Sequence, residues 1–164
     1  MKTTNNRGML LESLINQTNI FYLKNKICLV HKKYLDIKFA NISKTENNLK
    51  LEKAKIISKS TVDYYGIYQG KFLAFEAKST ESKTFSLRNI KSHQIEYLDL
   101  ISLFSGIAFW IIYFKIQNKF LLIKHDKFKK ISENKKSLSF EEIKENGKFI
   151  DLQFPGILDY ISQL

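Results

Sequence analysis

Cysteine and proline each occur once in the 164 residues, glycine six times, and no apolar run is long. The lone Cys28 excludes an intramolecular disulfide and any metal site of the CxxC kind, which fits a reducing cytoplasm. The most apolar stretch, GIAFWIIYF at 106–114, is too short to span a bilayer. The N-terminal MKTTNNRGMLLESL lacks an uninterrupted signal-peptide core, so the expectation is a cytoplasmic protein without a membrane partner. Arginine is almost missing too: Arg7 and Arg88 stand alone among many lysines. With abundant Asn, Ile and Phe, this reflects an AT-rich genome better than a mechanism.

What is present is an apolar fraction of 44%, enough for one domain over residues 1–164 with a sizeable core, and an excess of positive charge. Lys and Arg outnumber Asp and Glu by 27 to 16, a net charge of +11 that favours a polyanionic partner. The charge is concentrated: residues 24–59 hold ten lysines and three acids, Asp36, Glu46 and Glu52. Their middle, NISKTENNLKLEKAKI, has turn residues at Asn47 and Asn48 between segments of strand-like or weakly helical character. It reads as an excursion from the core at about 35–59, or simply as a solvated loop.

Around it the pattern predicts a helix over 9–23, with Leu10, Leu11, Leu14, Ile15, Ile20 and Phe21 at helical spacing, then a strand in KICLVHKK. Strands follow at 61–68 and 71–78, then a helix over 86–104 with Ser86 as a possible N-cap and Gly106 at its C-terminal stop. IAFWIIYFKI, apolar on both faces, reads as a central strand, KFLLIKH as another, SFEEIKENGKFI as a short helix ending at Gly147, and FPGILDYISQL as a terminal turn of helix. No repeat, linker or low-complexity tract interrupts this order.

The stretch DYYGIYQGKFLAFEAK, 63–78, sets three charges among apolar residues. In its second strand Phe72, Ala74, Glu76 and Lys78 share one face and Leu73, Phe75 and Ala77 the other. A hairpin closing at Gln69-Gly70, an imperfect two-residue turn sequence, pairs Tyr68 with Lys71 and Ile67 with Phe72, and so sets Asp63 opposite Glu76, with Cβ atoms roughly 5 Å apart; a symmetric four-residue loop would keep the same pairing. Two facing carboxylates are unfavourable unless a cation lies between them. A divalent metal resolves this, and magnesium suits two carboxylates that retain waters and phosphate oxygens. Lys78 then places an ammonium beside a metal-bound water, a geometry suited to phosphodiester hydrolysis. The plainer alternative is an exposed Glu76–Lys78 ion pair, with Asp63 beyond the sheet edge.

In these residues the chain resembles the RecU family of Holliday-junction resolvases, within the PD-(D/E)xK nuclease group. The resemblance runs nearly end to end, through NRGMLLESLI (6–15), VHKK (30–33), STVDYYGIYQGKFLAFEAK (60–78), HQIEYL (93–98) and FPGILDY (154–160). It implies an α/β restriction-endonuclease-like fold, a mixed central sheet flanked by helices, with the 35–59 excursion as a protruding basic stalk. It further implies a bacterial, magnesium-dependent homodimer, with manganese as a substitute metal, that cuts four-way junction DNA by paired nicks in recombination and repair. Branch-migration or recombination proteins would be further partners. Asp63 and Glu76 become metal ligands and Lys78 the transition-state stabiliser. Thr61 and Gln94 match positions completing the metal site, and Glu12 is a further acid facing it. Arg7, Lys32, Lys33, Lys38, Lys44, Lys50, Lys53 and Lys55 become DNA contacts that position phosphates without reading sequence.

Two departures matter. Ala74 stands where the family carries an acid, which bears on metal binding, and the stalk has no arginine, so its phosphate contacts are lysine point charges. The rival readings are another nuclease of the group acting on duplex DNA, and a non-catalytic junction-binding protein. His31 and His93 read as histidines satisfied by the backbone, Trp110 as core, and Tyr64, Tyr65 and Tyr68 as packing residues.

Overall fold

A computed structural model describes residues 8–34, 36–45, 48–58 and 61–164, so Arg7 and the Asn47 turn lie outside the described residues. The chain opens with α1 (Met9–Lys24), then β1 (Leu29–Lys32), β2 (Asp36–Thr45), β3 (Asn48–Ser58), β4 (Tyr64–Tyr68), β5 (Lys71–Thr80) and β6 (Thr84–Ser86). A 3-10 turn (Leu87–Asn89) leads into α2 (Ser92–Leu103), β7 (Ile107–Phe114), β8 (Lys119–Lys124) and α3 (His125–Ser132). The remainder is β9 (Ser137–Ser139), α4 (Phe140–Asn146), β10 (Lys148–Ile150), β11 (Leu152–Gln153), β12 (Ile157–Leu158) and a 3-10 turn, Ile161–Gln163. No helix among the described residues is long and apolar enough to cross a membrane.

A six-stranded sheet in the order β1-β4-β5-β7-β8-β10 forms the centre. Only β5 and β7 run parallel, joined through α2; every other neighbouring pair is antiparallel. The apolar IAFWIIYF strand lies inside the sheet as expected, because a strand covered on both faces can be apolar at every position. Period-two alternation sorts the core into two layers. Leu73, Phe75, Phe109 and Ile111 face α1, whereas Ala74, Trp110, Ile112 and Ile123 face α2, α3 and α4.

The basic excursion forms a separate two-stranded antiparallel ribbon, β2–β3, with a register shift between Asp36 and Ile37. Its segments are strands, which settles the strand-or-helix ambiguity of the sequence.

Several expectations are corrected. The helix predicted over 86–104 starts at Ser92, because β6 pairs with β9 and takes Ser86 into a ladder with Ser137. The backbone at Ile90 and Lys91 is extended, and the Leu87 N–H donates to the Lys136 carbonyl. The left-handed residue after α2 is Ser105 (φ 62°), not Gly106. Gly106 is needed for space: a Cβ there would lie 2.7 Å from the Ile101 side chain and 3.0 Å from the Ile101 and Phe72 carbonyl oxygens. α3 is absent from the sequence reading, since its lysine-rich HDKFKKIS turns inward only at His125 and Phe128. The terminal FPGILDYISQL ends in one turn of 3-10 helix, Ile161–Gln163, and its first part supplies β12, which pairs with β11 just before it.

The buried face of α1 is also rotated from the apolar stripe read in the sequence. Leu11, Ile15, Thr18, Asn19 and Tyr22 point inward, while Leu10, Ile20 and Phe21 are exposed. The polar members are buried because they bind the C-terminal segment. Thr18 Oγ1 accepts from the Leu158 N–H (2.8 Å), Asn19 Oδ1 from the Tyr160 hydroxyl (2.5 Å), and the Tyr22 hydroxyl from the Ile161 N–H (3.1 Å).

Candidate active site

The site is built by the β4–β5 hairpin. Gln69 (φ 48°) and Gly70 (φ 74°) both adopt the left-handed conformation that a two-residue primed turn requires. The register follows from that turn as expected: Tyr68 pairs with Lys71, Ile67 with Phe72 and Tyr64 with Phe75. One step further, where β4 has ended, Asp63 stands against Glu76. β5 continues to Thr80 beside β7, pairing Glu76 with Trp110 and Lys78 with Ile112. Glu76 thus sits in the middle of the sheet and Asp63 at the end of its neighbour.

The three charges converge. Lys78 Nζ lies 2.7 Å from Glu76 Oε2 and 3.7 Å from Asp63 Oδ2. Asp63 Oδ2 also accepts the Ala77 backbone N–H at 3.2 Å, and the Asp63 carbonyl accepts the Lys33 N–H at 2.8 Å. Those two bonds fix the aspartate between β1 and β5. Glu76 is fully buried, and the Lys78 ammonium is the cation against its Oε2 oxygen. Burial, and then the Asp63 charge, push its pKa up to about 8 against the opposing pull of Lys78. Burial lowers the Lys78 ammonium, yet Glu76 and Asp63 outweigh it and leave the lysine above its ordinary value. The exposed-ion-pair alternative is therefore excluded: the glutamate is inside.

A buried carboxylate paired with a lysine on one oxygen and facing a second carboxylate fits a divalent cation. Among the described residues no cluster of three His, Cys, Asp or Glu accompanies them. The donors suit a hard ion that keeps several waters, not a site of the zinc type. Ala74 is buried in the apolar cluster with Val62, Leu98 and Ala108, so this face is an apolar wall up to Glu76.

The other sequence-derived residues lie on several elements. Thr61 is half-buried two residues before Asp63. Gln94 is buried in the first turn of α2, where its amide oxygen accepts the Lys91 N–H at 3.1 Å and so caps the helix. Glu12 is ion-paired with Lys32, and both line with Asp63 a cleft of about 100 Å³. Lys33 is half-buried beside Asp63. Lys38 and Lys55 are exposed and directly paired across the β2–β3 ribbon. Lys44, Lys50 and Lys53 lie on the same ribbon with side chains outside the described set.

One feature is invisible in the sequence. Trp110 is core, as expected, but its indole N–H donates to His125 Nδ1 at 3.0 Å. His125 Nε2 lies 3.0 Å from Asp99 Oδ1, and Lys129 donates to both Asp99 oxygens at 2.9 and 2.8 Å. Because indole only donates, Nδ1 must be the unprotonated nitrogen, and the neutral ring donates through Nε2 to Asp99. Burial holds the His125 pKa below its ordinary value despite Asp99. The chain of bonds anchors the indole that is Glu76's partner on β7. No local pattern signals it, because its members come from α2, β7 and α3.

The family model described as "Recombination protein U" (RecU) matches residues 6–164. The chain belongs to the RecU family. A relative from Mycoplasmopsis pulmonis named "Holliday junction resolvase RecU" is 46% identical over 156 residues, covering 95% of this chain and 92% of its own length. A relative of the same name from Staphylococcus aureus is 38% identical over 162 residues, 94% of this chain and 78% of that protein. The solved structure of Archaeoglobus fulgidus Hjc, described as a Holliday junction resolvase, superposes with a TM-score of 0.51 at 9% identity, covering 83% of this chain and 93% of that one. This RecU-family chain therefore shares its fold with a protein of very different sequence.

Proposed function

We propose that the chain is a divalent-metal-dependent endonuclease that resolves four-way DNA junctions by hydrolysing phosphodiester bonds. We extend the reading to magnesium as the natural ion with manganese as a substitute, to a single nuclease domain acting as a homodimer in the bacterial cytoplasm, and to the β2–β3 ribbon as a DNA-facing stalk. The observation that carries it is the buried Glu76 carboxylate held against Asp63 and Lys78 in a RecU-family chain.

Asp63 and Glu76 would hold the ion; when bound, it supplies charge neutralisation at the scissile phosphate and a water of lowered pKa. The protein supplies the rest. The Ala77 N–H aims one Asp63 oxygen, and the buried setting of Glu76 makes its ionised form depend on a cation. Lys78, the third charge of the group, orients the attacking water or stabilises charge developing on phosphate. Lys38 and Lys55, like charges facing each other on an exposed ribbon, are a repulsion that phosphates relieve.

The test is cleavage of a labelled four-way junction with magnesium, manganese or EDTA, beside a linear duplex of equal length. Paired nicks confined to the junction, lost in EDTA and in Asp63→Ala while junction binding persists, are expected. Lys78→Ala should lower kcat by about 10²–10³-fold. Cutting of the linear duplex at equal rate would assign the chain to a different nuclease activity. Tight junction binding without nicks under either metal would leave it a non-catalytic binder.

A further inference from the structure

The tyrosines near Asp63 are not alike. Tyr64 is buried and stacks on Phe75, and Tyr65 is half-buried and stacks on Phe72. Tyr34 is 75% exposed, and among the described residues no aromatic ring packs on it. Its place is set by the strand before it. β1 ends at Lys32, and the next residue, Lys33, donates its N–H to the Asp63 carbonyl at 2.8 Å. The Tyr34 Cα is thus one residue, about 3.8 Å, from a backbone tied directly to Asp63.

The ring is approached by a cation. Lys32 Nζ lies 5.6 Å from the Tyr34 ring centroid. The same ammonium pairs with Glu12, and Glu12 and Lys32 line the cleft with Asp63. Lys32 therefore links the ring to the catalytic cleft. A cation attracted to one face of a ring leaves the opposite face able to stack.

An exposed ring beside lysines suits a nucleobase, because every base has a π-face and stacking on it needs no particular sequence. In continuous duplex those faces are covered by neighbouring bases. They become available where stacking is interrupted, as at the branch point of a four-way junction. Phosphates attracted by Lys32 and Lys33 occur in both substrates, so these charges do not tell a junction from its arms. A ring that needs an uncovered base does.

We propose that Tyr34 stacks on a nucleobase at the branch point and so sets a preference for junction over continuous duplex. This deepens the reading of the chain as a junction resolvase and rests on it. Tyr34 is on this account a specificity-determining residue, with no part in the chemical step.

The test is fluorescence anisotropy of a labelled four-way junction and of a linear duplex of equal length, in EDTA, with the full chain as parent, Tyr34→Phe, Tyr34→Leu and Tyr34→Ala. Tyr34→Leu and Tyr34→Ala should each weaken junction binding about tenfold and leave duplex binding as in the parent, whereas Tyr34→Phe should match the parent on both. The slope of log affinity against log salt should stay unchanged, because no phosphate contact is lost. Equal losses on junction and duplex, a shallower slope, or Tyr34→Leu binding like Tyr34→Phe would each overturn the proposal. Binding needs no turnover, so a parent that binds junctions without nicking them defeats the nuclease reading alone. A junction preference that survives in Tyr34→Ala defeats the stacking proposal alone, and a parent without that preference defeats both.

Discussion

Of the two facing carboxyl groups, Glu76 is the fully buried one. With its pKa near 8 in the folded chain and about 4.5 when unfolded, the metal-free protein keeps a proton there that the unfolded chain releases. Stability must therefore fall as pH rises between those values, by on the order of a few kcal/mol. Thermal melts of the EDTA-treated protein should show the decline, and Glu76→Gln should flatten it. Added magnesium or manganese should raise the melting temperature most at the alkaline end, where the ionised carboxylate is waiting for a cation. A flat profile in the parent protein would mean that Glu76 does not carry this burial cost. At this scale the sequence is informative: Asp63, Glu76 and Lys78 follow from a two-residue turn and alternation alone. Their tight mutual spacing and the complete burial of Glu76 do not, because burial depends on β7 and α2 arriving alongside.

The informative elements are those whose faces the sequence misassigns. The apolar positions of α1 suggest one stripe, yet its buried face includes Thr18 and Asn19, held inward by hydrogen bonds to a segment about 140 residues away. Thr18→Val would keep the shape and leave the Leu158 N–H without its partner, at about 1–3 kcal/mol in urea unfolding. If the change is neutral, the C-terminal segment is held by apolar packing alone. The stop after α2 makes a second case. Gly106→Ala should destabilise by about 1–3 kcal/mol because the new methyl meets Ile101 and two backbone oxygens at 3.0 Å or closer, although the left-handed residue is Ser105. Unfolding of Gly106→Ala beside Ser105→Gly separates crowding from backbone strain, since only the first should destabilise.

Across the whole molecule, charge is unevenly distributed. The carboxylate centre lies at the open end of the β4–β5 hairpin, away from the Gln69-Gly70 turn, the lysine-bearing ribbon leaves the chain between β1 and β4, and acidic side chains line the cleft between α2 and α3. Lys38 and Lys55 are the described members of the ribbon's basic set, so replacing both by Gln tests its part in DNA binding. The slope of log affinity for a junction against log salt should become shallower by about 0.9 for each phosphate that the protein no longer neutralises. An unchanged slope would move the DNA surface elsewhere, toward Lys32 and Lys33 beside Asp63.

What the sequence by itself determined was whatever nearest neighbours decide: a tight turn about Gln69-Gly70, the register it imposes, the apolar strand at the sheet's centre, the basic stretch, and the motifs of the RecU family. Only the tertiary structure decided which carboxylate is buried, which face of α1 is inside, where α2 begins, that α3 exists, and that Trp110 is anchored through His125 and Asp99. Each of these rests on partners far apart in the chain, whose packing and hydrogen bonds outweigh the local preference of the residues involved.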